Sequence, residues 1–386
     1  MSKAQISIGL KRFVKFLHSF KLLVLFIILW LFMSLELQNP TPGKERAFVI
    51  YTKDSVQLEV DLIFNSSNEP IQYYCYVVTP VCEEGVCYNL LAEVYWDLLG
   101  NFVDYTEVPL DPFTKFDHIK FTADDHVIMK EILKDKTSLL ANYKAEDLVD
   151  HSIQIKSDVI DGVAGATYKS LSGAVVRGAV YSSHTLWHIV NGDVADKIVA
   201  HTESLMNEEL LVSMLNSDNY HLQFYALNKI ASEDEKFTPY LIGLISKGSS
   251  YVPYFAIEKI PDWAWSSVKY QSQIISLLKK VEFKMQNEIL NRLVDRDLEG
   301  ESLTVLASNL GSLDKSQLKK AFKILDRNKD KLTSLSIKEI LLLLDSEDKE
   351  ISKEAYQFLN THEHQFRPVS KKLNDYRKTL MSNYNN

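Results

Sequence analysis

Two hydrophobic periods divide this chain. Between Ala47 and about residue 155, apolar residues alternate with polar ones or gather in short β-branched and aromatic blocks; beyond Gly192 they recur three and four apart. Val56-Gln57-Leu58-Glu59-Val60-Asp61-Leu62 alternates as a half-buried strand does. Phe48 to Tyr51, Tyr73 to Val78 and Leu90 to Leu99 share its β-branched and aromatic character, and Gly100-Asn101 closes the last run with a turn signal. Thr122-Ala123-Asp124-Asp125 has the form of a capped helix start, and His126 to Leu133 continues at helical spacing. His151 to Ile155 alternates again and leads into Asp161-Gly162-Val163-Ala164-Gly165-Ala166-Thr167-Tyr168-Lys169-Ser170. A long helical pattern then runs from about Ser170 to Val190. Residues 47–192 therefore read as an α+β domain closed by a long helix.

The second half is helical throughout and repeats itself. A small or apolar pair followed by an apolar fifth residue recurs as Ala226-Leu227-Asn228-Lys229-Ile230, Ala256-Ile257-Glu258-Lys259-Ile260, Ile289-Leu290-Asn291-Arg292-Leu293, Ala321-Phe322-Lys323-Ile324-Leu325 and Ala355-Tyr356-Gln357-Phe358-Leu359. The starts lie 30, 33, 32 and 34 residues apart. Between them lie further short amphipathic helices, such as Phe237 to Ser246 and Tyr270 to Val281. Paired short helices at that period are the mark of an α-solenoid, here similar to HEAT repeats over residues 193–373; an irregular helical bundle is the rival arrangement. Residues 374–386 read as a polar, fraying tail.

Composition is that of a globular protein, with 46% hydrophobic and 24% charged residues in 386. A net charge of −8 argues against a general nucleic-acid binder. The N-terminus departs from this average. Lys3, Lys11, Arg12, Lys15 and Lys21 precede an uncharged apolar run from Leu22 to Leu35. The run is short for a spanning helix, but Phe13, Phe16, Leu17 and Phe20 extend it, and Lys15 and Lys21 can snorkel. After it, Glu36 and Glu45 offset Lys44 and Arg46. This asymmetry predicts a single-pass anchor in residues 1–37 with a cytoplasmic N-terminus and an extracytoplasmic remainder. A cleaved signal peptide is the rival, although no A-x-A-like site follows Met33-Ser34-Leu35-Glu36. Residues 38–46, with two prolines and a glycine, read as a linker.

The stretch from Asp161 to Ser170 is glycine-rich and carries a hydroxyl, the composition of a turn whose backbone can approach a phosphate closely. Its core resembles the covalent-FMN motif of the FMN-binding domain family, which includes the C subunit of the sodium-pumping NADH:quinone reductase and the G subunit of the Rnf complex. That motif reads Asp, two variable residues, Ser or Thr, Gly, Ala, then Thr or Ser. Asp161, Gly165, Ala166 and Thr167 match it; Ala164 stands where the family has a hydroxyl. The resemblance covers roughly residues 47–192, and outside the motif it is one of layout. It implies an FMN-binding-like α+β fold and FMN carried as a phosphoester on Thr167, installed after export by an FMN transferase. Gly165 and Ala166 would leave room for the ribityl phosphate, and Asp161 would position the loop or assist modification. Lys169 either pairs with the phosphate or faces solvent.

Cys82 and Cys87 bracket Glu83-Glu84-Gly85-Val86 and, in an exported chain, read as a disulfide across a turn. So short a loop would add about 2 kcal/mol; a redox-active pair beside the flavin is the alternative. Cys75 is left over in a strand. His184 and His188 stand four apart with Trp187 between them, a spacing that can ligate a metal, but without a placed third ligand they read as core or surface histidines. Thr114-Lys115-Phe116-Asp117-His118 is a dense polar and aromatic segment that could border the flavin. No NAD fingerprint, haem motif, Walker loop or G-x-S-x-G occurs. The expectation is an electron carrier docking redox partners, rather than a complete enzyme. A non-redox helical-repeat scaffold and an exported flavin reductase are the rivals.

Overall fold

The computed structural model describes residues 43–52, 55–81, 89–156, 163–363 and 369–384. The N-terminal anchor or signal, the Cys82/Cys87 pair and Asp161 lie outside them. Among the described residues no helix is long and apolar enough to cross a membrane. The chain forms an α+β body through Leu205 and an all-helical body from Met206 onward.

In the first body, β1 (Lys44–Tyr51), β2 (Gln57–Phe64), β3 (Pro70–Thr79), β4 (Leu90–Trp96) and β5 (Phe102–Glu107) form an antiparallel meander in sequence order. The alternation in the sequence sets which face is buried: Leu58, Val60 and Leu62, Tyr73, Cys75 and Val77, and Ala92, Val94 and Trp96 are all nearly inaccessible. Burying each large side chain contributes about 1.5–3 kcal/mol. Burial also pushes the Cys75 thiol up to about 12, so it behaves as a small hydrophobe rather than a nucleophile. The expected linker ends earlier than its prolines suggested. Lys44 and Arg46 already belong to β1, and both bind Asp61 on β2, Lys44 at 2.8 Å. Burial alone would raise the Asp61 pKa, but its hydrogen bonds from Lys44 and Arg46 outweigh that and lower it.

Helix α1 (Ala123–Lys134) starts where the sequence placed it. Thr122 Oγ1 accepts from the Asp125 N–H, and the Asp125 carboxylate accepts from the Thr122 N–H, a capping box. Hairpin β6 (Val149–Lys156) and β7 (Val163–Thr167) follows, then α2 (Val180–Asn191) and α3 (Asp193–Ser204). Trp96 Nε1 donates to the Val190 carbonyl at 2.9 Å, tying α2 to the sheet. The hydroxyl of Tyr73 meets His201 Nδ1 and Thr202 Oγ1, each at 2.9 Å, and burial pushes its pKa up to about 12. Helix α3 is therefore part of the α+β body, which extends past the boundary expected at Gly192.

The helical body runs through α4 (Glu208–Asn216), α5 (Tyr220–Lys229), α6 (Thr238–Lys247), α7 (Val252–Glu258), α8 (Asp262–Ser266), α9 (Val268–Ser276), α10 (Phe283–Leu293), α11 (Gly300–Asn309), α12 (Lys315–Arg327), α13 (Ser334–Leu342), α14 (Lys349–Thr361) and α15 (Ser370–Tyr384). Helices contact those two steps away: α4 with α6, α5 with α7, α9 with α11, α11 with α13, α10 with α12 and α12 with α14. The repeated sequence positions are the contact positions. Ala226, Ala256, Ile289, Ala321 and Ala355 are fully buried, as are Leu293, Leu325 and Leu359 at the fifth position. Polar bonds repeat with the same offset. Arg292 binds Glu258 and Arg296 binds Asp262, both at 2.6 Å, and Lys331 binds Glu299 at 2.8 Å. Asn328 accepts from the Leu298 N–H and donates to the Arg296 carbonyl. The first residues of the expected tail are held: Tyr376 donates to Ser352 Oγ, and Arg377 binds Glu363 at 2.7 Å.

Candidate functional site

Thr167 is the last residue of β7, paired with Val149 across the hairpin. The next N–H, on Tyr168, points to the Leu148 carbonyl at 3.5 Å. The strand is extended opposite Gly165 and Ala166. Asp150 pairs with Ala166 and Gln154 with Gly165, so His151, Ser152 and Ile153 have no partners in the ladder and form a wide bulge facing the motif. Bulges of this kind re-aim the strand and are enriched beside functional sites. Nothing in the alternation of His151 to Ile155 signalled it, because a bulge preserves local composition while breaking register.

The long helix expected from Ser170 does not form. Lys169–Leu171 is one 3₁₀ turn, followed by further turns up to Ala179, and α2 begins only at Val180. Two glycines account for this. Gly173 carries the entropic cost of helix formation, and Gly178 takes φ +80°, a left-handed conformation that ends any helix. Thr167 therefore closes a strand, and the helix N-terminus expected to receive its phosphate is absent. What remains is a partly accessible hydroxyl: Thr167 is half-buried, and Tyr168, Lys169 and Ser170 are exposed. Leu171, fully buried, pins the turn behind them. Lys169 is exposed. Gly165 and Ala166 stand next to Thr167 on β7, on the stretch with the bulge opposite.

The segment expected to border the flavin, Thr114 to His118, bonds to Gly178, further along the chain than the motif. The Phe116 N–H donates to the Gly178 carbonyl at 2.7 Å. A Cβ on Gly178 would lie 3.5 Å from Lys115 Cβ. Lys115 Nζ donates to Asp125 at 2.7 Å; that bond, followed by those from Thr122, holds the carboxyl down at about 2. Behind it, the Tyr105 hydroxyl shares a 2.6 Å hydrogen bond with His126 Nδ1, and His126 Nε2 lies 3.5 Å from Glu107. Burial first, then the negative charges of Glu107, Asp104 and Asp125, raise the Tyr105 pKa.

His184 and His188 have a structural use. His184 Nε2 donates to the Tyr143 carbonyl at 2.8 Å and His188 Nε2 to the Leu140 carbonyl at 3.1 Å. A carbonyl can only accept, so each Nε2 carries its proton and is not a metal ligand in this state. Trp187 Nε1 and Asn191 Nδ2, on the same side of α2, donate to the Asp135 and Leu133 carbonyls. Among the described residues no group of three or more His, Cys, Asp or Glu side chains is arranged to hold a metal ion. Comparison of the chain with protein-family models, curated proteins and solved structures finds no match.

Proposed function

We propose that this chain is a membrane-anchored, extracytoplasmic flavoprotein that carries FMN as a phosphoester on Thr167 and passes electrons between redox partners. The observation that carries the reading is the half-buried Thr167, at the end of β7 and followed by three exposed residues, within a sequence that matches the covalent-FMN motif at Asp161, Gly165, Ala166 and Thr167. A hydroxyl that an enzyme must modify has to be reachable, yet anchored on a rigid element. The hairpin supplies the anchor and the exposed turn the access. FMN, when bound, supplies one- and two-electron chemistry. The residues of this chain fix its attachment point, and Lys169, exposed beyond the strand end, offers a cation to the phosphate. An FMN transferase acting outside the cytoplasm is the maturation partner.

The same reading assigns the α+β body an FMN-binding-like fold and the helical body a HEAT-like solenoid. Next-but-one helix contacts and bonds repeating at the sequence period support the solenoid assignment. Such an array offers an extended docking surface for a redox partner. It would serve a non-redox scaffold equally well, and intact mass separates the two. Co-expressed with an FMN transferase, the wild-type chain is expected to gain the mass of one FMN moiety, and Thr167→Ala is expected to lack it. A wild-type chain of unmodified mass under those conditions would sink the flavoprotein reading.

A further inference from the structure

The β1–β5 meander has two faces, and the helices of its own body bond to one. The Trp96 indole bonds to α2, the Tyr73 hydroxyl to α3 and the Tyr105 hydroxyl to α1, all from the buried side. On the other side Val49, Tyr51, Tyr76 and Val78 are 42–61% exposed. Large apolar and aromatic side chains gathered on one open face mark an interaction surface. The polar chemistry between them follows a pattern. Asp61 on β2 stands opposite Tyr74 on β3, and Tyr74 opposite Tyr95 on β4. In this row a cation is already in place: Lys44 Nζ binds Asp61 at 2.8 Å and lies 3.8 Å from the centre of the Tyr74 ring. Arg46 binds Asp61 and Glu59, and Lys130 binds Asp104 at the β5 edge. In the next row Tyr76 stands opposite Glu93. The Glu93 carboxylate accepts from the Tyr74 hydroxyl at 3.1 Å and from the Tyr95 hydroxyl at 3.3 Å, the two rings lying 5.3 Å apart. It thus repeats the carboxylate-and-tyrosine setting of Asp61, but among the described residues no Lys or Arg side chain pairs with it.

The structure assigns this outer face as a docking surface for a basic protein partner, with an Arg or Lys side chain of that partner lying over Tyr76 and Tyr95 and paired with the Glu93 carboxylate. A cation gains from the faces of tyrosine rings and from a carboxylate already held by hydrogen bonds, and tyrosine and arginine are the residues that dominate interface cores. The charge of the body selects the partner. Residues 44–205 hold 25 Asp and Glu against 13 Lys and Arg, a net −12, whereas residues 206–386 hold 25 of each. A second copy of so acidic a body is repelled, and so is an anionic lipid surface; a basic protein is drawn in. The assignment holds whether or not the chain carries FMN.

The test is fluorescence anisotropy of a labelled, amidated octapeptide alternating arginine and valine, titrated with the full chain in detergent micelles. At about 0.15 M salt, charges more than about 8 Å from the peptide are screened. The wild type is expected to bind this peptide and not its glutamate–valine counterpart. Glu93→Gln keeps an acceptor for both tyrosine hydroxyls and is expected to weaken binding about fivefold, as loss of one exposed ion pair implies. Tyr76→Ala, at an exposed position, is expected to weaken it about threefold. Asp196→Asn removes the same charge from an exposed site on α3, the helix bonded to Tyr73 on the other side of the sheet, and is expected to leave binding unchanged within about 1.5-fold. Equal losses in Glu93→Gln and Asp196→Asn would reduce the attraction to net charge and overturn the assignment. Absence of binding by the wild type, or equal binding of the glutamate peptide, would overturn it as well. A concentration-dependent dimer abolished by Tyr76→Ala would give the face to a second copy instead.

Discussion

Gly100 lies directly against Ala195: a Cβ built on Gly100 would stand 2.6 Å from the Ala195 carbonyl oxygen. The turn between β4 and β5 thus touches the first turn of α3, and Gly100 also takes φ +68°. Asp97 shapes this turn by accepting from the N–H groups of Leu99 and Asn101. Gly100→Ala meets both a steric and a conformational penalty, and is expected to cost about 2–4 kcal/mol. Calorimetry should show the transition of the α+β body falling by several degrees. An unchanged transition would mean that α3 does not seat on this turn.

His188 and Leu140 set a second expectation. The His188 side chain satisfies a main-chain carbonyl beside the nearly buried Trp187, and His184 does the same for Tyr143. His188→Ala should therefore destabilise the body by about 1 kcal/mol, because it removes one hydrogen bond while the Leu140 carbonyl keeps the one from the Tyr143 N–H. Adding Zn²⁺ to the wild type should leave the melting temperature where it was. A zinc-dependent rise that His188→Ala abolishes would restore the metal reading.

How much of this was legible in the residues depends on which signal each element carries. The strict alternation around Leu58, Val60 and Leu62 fixed a face as well as a strand, and the Thr122/Asp125 capping pair located the start of α1. The recurring Ala226, Ala256, Ile289, Ala321 and Ala355 marked helix contacts because a small or apolar residue suits a buried, packed position. Periodicity, however, does not say what a helix packs against, so the membership of α3 in the first body depended on Tyr73 and Gly100, distant in sequence. Gly165-Ala166-Thr167 is too small and featureless to separate strand end from helix start. The helical spacing from Ser170 to Val190 hid the weight of Gly173 and Gly178. Asp117 and His118 take φ 59° and 55° with no glycine to announce the left-handed turn. Thr167 was singled out by its motif alone; the bulge at His151–Ile153 and the bond from Phe116 to Gly178 were not legible.

Asp125 makes the stability of α1 and of its tie to Lys115 depend on acidity. Its carboxyl is held at about 2, against an ordinary 3.8, first by Lys115 and then by Thr122. A depressed carboxylate pKa stabilises the fold fully above the unfolded value and loses that contribution as pH falls from about 3.8 towards 2. Urea midpoints should decline through this window in the wild type. In Asp125→Asn the midpoint should be lower near neutral pH and the decline shallower between pH 4 and 2. Equal slopes in the two proteins would show that Lys115 and Thr122 do not hold the carboxylate.

In the helical body, packing and surface charge should contribute unequally, although both repeat with the same period. Ala321 is fully buried on α12, whose neighbours are α10 and α14. Ala321→Leu inserts three carbons where no space exists and should cost about 1–3 kcal/mol or more. Arg296 bonds Asp262 at 2.6 Å, but that carboxylate is 90% exposed, so its pairing is screened and entropically costly. Arg296→Ala should therefore change stability by less than about 1 kcal/mol, part of it lost packing against Trp265. Urea denaturation of both variants tests the order. Should Arg296→Ala prove the more damaging, the array would be held by its ladder of charges, and raising the salt concentration should then unfold it progressively.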